Sequence, residues 1–129
     1  MAPEMDLQGM RHIALRVSDM RRSREFYEGA LGLKVVWEPD PENVYLSSGS
    51  DNIALHYDGS ASEGRQRLDH FGFFLPSREA VDRAQEELRS RGIAIDRAAR
   101  DHRDGSRSFY VCDPDGNRIQ FIHLPGLDR

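Results

Sequence analysis

Hydrophobic and polar positions alternate from Arg11 to Val17, with Ile13, Leu15 and Val17 on one side and His12, Ala14 and Arg16 on the other. A period of two predicts a strand buried on one face only. The pattern then changes to that of a helix. Ser18 and Asp19 offer N-cap oxygens, Met20, Phe26, Tyr27, Ala30 and Leu31 form the apolar stripe, and Gly32 ends it. Strands are expected near Leu33 to Trp37, Val44 to Ser47 and Ile53 to Tyr57, separated by Pro39, Pro41 and the stretch SSGSDN. Asp58 to Gln66 is small and polar and reads as a surface linker.

Past the linker the order restarts. From His70 to Leu75, Phe71, Phe73 and Leu75 share one face, while His70, Gly72 and Phe74 share the other. Pro76 and Ser77 stop this strand and cap a second helix, whose inner stripe is Val81, Ala84 and Leu88 and whose end is Gly92. Strands follow near Ile93 to Arg97, Arg107 to Cys112 and Arg118 to Leu124, the last two joined by the turn DPDGN. The order β-α-β-β-β thus occurs twice. The offset is 58 residues at the first strand, His12 to His70, and 66 at the last, where Ala54 matches Gln120. Identity between the halves is low, so the repeat lies in element order and in the parity of faces. If the apolar faces meet the helices, the opposite faces line a cleft with His12, Ala14, Arg16, Ala54, His56, His70, Phe74, Gln120 and Ile122.

A chain of 129 residues suits one domain, with a first module at about 9–58, a linker at about 59–67 and a second module at about 68–125. The net charge of -4 argues against nucleic acid as a partner, and the arginines are interleaved with acids, as in RRSRE and DRAQEELRSR. No apolar run is long enough to span a bilayer. The start, MAPEMDLQGM, lacks the pattern of a signal peptide, and the single cysteine, Cys112, allows no internal disulfide. Both features fit a cytoplasmic protein. Asp113 beside Cys112 is expected to raise the thiol pKa and keep it unreactive.

Paired modules, a histidine opening each first strand and the DPDGN turn are carried by GMRHIALRVSDMRRSREFYEGALGLKVV and SRSFYVCDPDGNRIQFIH. These features resemble the vicinal oxygen chelate superfamily, which contains glyoxalase I, methylmalonyl-CoA epimerase, extradiol dioxygenases, and fosfomycin- and bleomycin-resistance proteins. The resemblance runs from about Gly9 to Pro125. It implies an α+β fold in which two tandem βαβββ modules form a curved cup of mixed sheet. It also implies metal ligands on the first and last strands of each module, at His12, Ala54, His70 and Gln120. Ala54 cannot coordinate, so the four-ligand glyoxalase set is incomplete. The three-ligand set of extradiol dioxygenases fits better at His12, His70 and Gln120, except that Gln120 stands where a carboxylate is expected. A neutral amide oxygen gives up the charge attraction that an anion offers a dication such as Fe, Mn, Ni or Zn.

The same resemblance makes His56 and Tyr110 candidate catalytic groups, for proton transfer and for charge stabilisation. Arg16, Phe74 and His102 are candidate substrate contacts, with Arg16 suited to an anionic group or to a plain surface salt bridge. Trp37 and Phe74 are candidate aromatic walls, and HRDGSRS reads either as a lid or as a long turn. The leading expectation is a metal-dependent enzyme, a dioxygenase or lyase, on a small molecule that chelates through adjacent oxygens. A metal-free binder of the bleomycin-resistance kind is the alternative, and a fold relic serving as a dimerisation or regulatory module is a third. Family habit implies a homodimer.

Overall fold

The computed structural model describes residues 9–60 and 68–126. Most of the expected linker, residues 61–67, therefore lies outside the described residues, as do the first eight positions. The first half runs β1 His12–Val17, α1 Met20–Arg24 continuing as a π-helical turn Glu25–Ala30, β2 Lys34–Asp40, β3 Asn43–Ser47 and β4 Asn52–Tyr57. The second runs β5 Phe71–Phe74, α2 Arg78–Ser90, β6 Ile95–Asp101, β7 Arg107–Cys112 and β8 Arg118–His123. Each half makes one four-stranded sheet, in the orders β1-β4-β3-β2 and β5-β8-β7-β6. β1 lies parallel to β4 and β5 to β8, while the other neighbours are antiparallel, so both sheets are mixed. The expected α+β architecture of two tandem modules is the one observed.

The repeat extends to register. Ala14 is paired with Ala54 in the first sheet and Gly72 with Gln120 in the second, which reproduces the two sequence offsets. Two strands run further than their hydrophobic patterns. β2 continues through Pro39 to Asp40, and β6 reaches Asp101 instead of stopping near Arg97. Both are edge strands carrying register shifts, where a proline lacking an N–H and a run of charges are tolerated.

The first helix also departs from expectation. Asp19 alone caps it, its side chain accepting from the Arg22 N–H at 3.1 Å. After one turn the ladder widens, and the Leu31 N–H donates to the Phe26 carbonyl five residues back at 3.0 Å. Widening lets the adjacent Phe26 and Tyr27 both enter the core, together with Ser23, which a hydrophobic stripe does not predict. Ser77 caps α2 by accepting from the Ala80 N–H at 3.0 Å, and Val81 and Leu88 are buried as expected. Among the described residues no helix is long and apolar enough to cross a membrane.

One hydrophobic cluster serves both halves, from Leu15, Val17, Leu46 and Ile53 to Val81, Val111 and Ile119. Phe73, Phe121 and Phe109 form a continuous stack within it, with centroids 5.7 and 5.0 Å apart. A polar latch adds direction to this packing. Ser18, freed from capping, donates from N–H and hydroxyl to Asp115 in the DPDGN turn. The Tyr27 hydroxyl donates to Asp113 Oδ2 at 2.6 Å, and Asp113 also accepts from the N–H groups of Asp115 and Asn117 and from Asn117 Nδ2. Gly116 takes the positive φ, 87°, that the turn requires. The last turn of the second half is thereby fastened to the first helix of the first half.

Burial, followed by the neighbouring Asp113 carboxylate, pushes the Tyr27 phenol well above its ordinary value near 10. Unfolded chains ionise at that ordinary value and the folded protein does not. The associated stability is therefore intact below pH ~10 and drains as pH rises from there toward the folded-state value. Tyr27→Phe is expected to cost about 1–2 kcal/mol at pH 7, because Asp113 loses a buried donor. Above pH ~10 its urea midpoint should fall less steeply than that of the wild type. Parallel slopes in the two proteins would contradict the assignment.

Candidate functional site

Leu15 and Val17 are buried while His12, Ala14 and Arg16 on the same strand are exposed, so the expected faces of β1 hold. Cross-strand register extends that outer face over each sheet. In the first sheet one row joins Ala14, Ala54, Tyr45 and Trp37, and a second joins Arg16, His56 and Asn43. In the second sheet one row joins Gly72, Gln120, Tyr110 and Arg97. Ala54 is fully buried despite lying on this face.

His12 and His70 line one cleft of about 360 Å³, with Met10, Ile13, Asn52, Leu68, Phe71 and Gly72 among its other walls. It lies at the seam between the halves. His12 Nδ1 meets Asn52 Oδ1 at 2.9 Å, and His70 Nδ1 meets Asp69 Oδ1 at 2.7 Å. Carbonyl and carboxylate oxygens only accept here, so each Nδ1 carries the proton and donates it. Each ring keeps its Nε2 lone pair for another purpose. The bond from His70 holds the Asp69 carboxyl below the usual carboxylate range. Among the described residues no group of three or more His, Cys, Asp or Glu side chains is arranged to hold a metal ion.

Gln120 does not line this cleft, but stands in register beside Gly72, which does. A Cβ at Gly72 would sit 2.8 Å from the Gln120 backbone oxygen. Only glycine permits this close approach of β5 to β8. Gln120 Nε2 donates to Ser108 Oγ at 3.0 Å. Tyr110 packs edge-on against the His70 ring, with centroids 5.3 Å apart, and carries the Arg118 guanidinium 4.8 Å above its own ring. Tyr110 and Gln120 are thus neighbours on the second sheet, and His70, just ahead of β5, packs against Tyr110.

The remaining candidates are distributed elsewhere. His56 lies on the first sheet, donating from Nδ1 to Asn43 Oδ1 at 2.6 Å and packing edge-on against Tyr45. Arg16 approaches Asp58 at 3.9 Å with its side chain 78% exposed, a loose surface pairing. Phe74 belongs to an adjoining cleft of about 470 Å³, and Phe74 and Trp37 are both exposed. His102 lies in the β6–β7 connection. HRDGSRS there is a closed hairpin turn, with the His102 N–H bonded to the Ser106 carbonyl and the Gly105 N–H to the His102 carbonyl. The Cys112 thiol is pushed up by partial burial first, by Asp96 next and by Asp113 only after Arg118 has acted in the opposite sense. Sequence reasoning did not single out Asn52, Asp69, Ser108 or Gly72. Strand parity was the signal for Asn52 and Ser108, because they alternate in phase with Ala54 and Tyr110.

Comparison with known proteins agrees with this architecture. Glutathione transferase FosA of Serratia marcescens is 28% identical over 130 residues, covering 94% of this chain and 84% of that protein. Catechol-2,3-dioxygenase of Bacillus subtilis is 32% identical over 111 residues, covering 82% of this chain but only 38% of that protein. In three dimensions the lactoylglutathione lyase of Agrobacterium tumefaciens matches with a TM-score of 0.77 at 20% identity, covering 92% of this chain and 96% of that one. The family model for the Glyoxalase/Bleomycin resistance protein/Dioxygenase superfamily matches residues 9–121, and the chain belongs to that superfamily.

Proposed function

We propose that this chain is a metal-dependent enzyme acting on a small organic molecule that chelates a divalent ion, Fe, Mn, Ni or Zn, through neighbouring oxygens. His12, His70 and Gln120 would hold the ion. The observation that carries the reading is the shared cleft of His12 and His70, each with Nδ1 committed to an oxygen acceptor and Nε2 left as a donor. The donor set fits a metal in a second respect. Gln120 has its amide nitrogen tied to Ser108 and its oxygen without a protein partner among the described residues, and it stands in register beside Gly72, a wall of the cleft. Two imidazoles and one amide oxygen leave coordination positions for a bidentate substrate. When bound, such an ion polarises and orients the substrate oxygens as a Lewis acid.

The chain's own groups supply the rest. Tyr110, held between His70 and Arg118, is the side chain best placed to give or take a proton beside the cleft. His56 and Arg16 act in this reading when a second copy lays its first sheet over the cleft, which is the sense in which a homodimer is proposed, while Phe74 would meet substrate from the adjoining cleft of the same chain. Metal-free binding of an aromatic molecule is a second reading. It is favoured by the exposure of Trp37 (58%) and Phe74 (47%) on outer sheet faces.

Elemental analysis of protein purified without chelator is expected to find close to one metal per chain, and a metal-free preparation would favour the second reading. Fe(II)-loaded protein should then be offered catechols under air, and thiols with electrophilic partners, since relatives carry both names. Gln120→Glu is expected to tighten Co(II) binding about tenfold, because an anion replaces a neutral oxygen. Unchanged or weaker affinity in a calorimetric titration would remove Gln120 from the ligand set.

A further inference from the structure

The side-chain amide of Gln120 has two ends, and only the oxygen can bind a cation. A carboxylate has no such ambiguity, since either oxygen serves. A glutamine ligand therefore needs something to stop the amide from turning its NH2 toward the ion. Ser108, 1% exposed, stands in the right place. Its Oγ accepts from Gln120 Nε2 at 3.0 Å and lies 2.6 Å from His102 Nε2. These are its side-chain hydrogen bonds among the described residues. A serine hydroxyl has one proton to give, the Gln120 amide nitrogen cannot take it, and the imidazole nitrogen can. The chain therefore runs from the Gln120 N–H to Ser108, and from the Ser108 O–H to His102.

Each end of this relay is held. Tyr110 lies in register with Gln120 and Ser108 with Ile122, so Ser108 is the diagonal cross-strand neighbour of Gln120 on the same face. The His102 backbone is pinned by two hydrogen bonds of the hairpin turn, 2.8 and 3.1 Å long. Turning the amide over would leave the Ser108 oxygen facing another acceptor, unless His102 also gave up its role.

We infer that Ser108 and His102 are positioning residues that lock the Gln120 amide with its oxygen free for the metal. The inference rests on the reading of Gln120 as a ligand. His102, a substrate contact in the sequence reading, acts here through Ser108.

Co(II), followed by its visible absorption, tests the lock separately from the ligand. Ser108→Ala is expected to weaken Co(II) binding about tenfold and to alter the d–d bands, and Ser108→Thr, which keeps the hydroxyl, to recover most of the loss. His102→Ala should reproduce the Ser108→Ala effect without touching a buried site. In a Gln120→Glu background the Ser108→Ala loss should shrink to less than about threefold, because a carboxylate needs no such orientation. Equal losses in both backgrounds, or no loss from Ser108→Ala while Gln120→Ala weakens binding, would overturn the lock and leave ligation standing. Unaltered affinity in Gln120→Ala would overturn ligation itself, and the lock with it.

Discussion

His12→Ala and His70→Ala are each expected to lower Co(II) affinity by at least ~100-fold, more than a change to a residue that only orients a ligand. Each substitution removes one of the two imidazole donors of the shared cleft, and an amide oxygen with a single ring cannot replace it. The folded state should barely notice the first change. His12 is exposed, and among the described residues its side chain makes one hydrogen bond, to Asn52. Its loss should alter stability by no more than about 0.5 kcal/mol. His70 gives up its ring contact with Tyr110, so about 1 kcal/mol is expected there. Near-native urea midpoints combined with lost metal would separate ligation from unfolding. Retained metal in both variants would end the enzymatic reading and leave the fold untouched. Because both rings line one cleft within one chain, mixing the two variants should not restore binding. Restoration on mixing would instead mean that the working site joins His12 of one copy to His70 of another.

How far the sequence alone reaches depends on the range of the interaction. Strand faces were legible because period-two alternation is local: Leu15 and Val17 point inward and His12 and Arg16 outward, as the pattern requires. The repeat was legible for a similar reason, since the same order of elements imposes the same register, Ala14 with Ala54 and Gly72 with Gln120. Edge strands were not. β6 reads IDRAARD, and a strand paired on one side only needs little apolar alternation. The π-helical turn was hidden because its signature is a hydrogen bond, Leu31 to Phe26, and adjacent buried aromatics also occur in plain helices.

At the candidate site the same rule separates the ring nitrogens from their partners. His12 and His70 stood out by equivalence within the repeat. Asn52 lies 40 residues from His12, and Ser108 lies 12 from Gln120, so these ties depend on which strands become neighbours. Parity marked them as facing the right way and could go no further. His102 was visible as a histidine on a loop, and its bond to Ser108 exists only once the hairpin closes.

Asp113→Ala is expected to be the most destabilising single change in the outer shell of the core, at about 3–5 kcal/mol. Asp113 is 5% exposed and accepts four hydrogen bonds, from the Tyr27 hydroxyl, from two turn N–H groups and from the Asn117 side chain. Removing it strands the Tyr27 hydroxyl on a residue with no exposure at all, and it releases the turn whose Asp115 holds Ser18. Asp113→Asn should cost less, about 2 kcal/mol, since the amide oxygen keeps the turn while its NH2 faces the Asn117 donor. Folded domains of this kind are stable by only about 5–15 kcal/mol, so the alanine protein should show a urea midpoint reduced by a large fraction. The loss has a second consequence, because this latch fastens the half carrying His70 to the half carrying His12. Under conditions where Asp113→Ala remains folded, its Co(II) affinity should fall although neither imidazole has been touched. A loss below about 1 kcal/mol, with metal affinity unchanged, would mean that the shared hydrophobic cluster alone sets how the two halves meet.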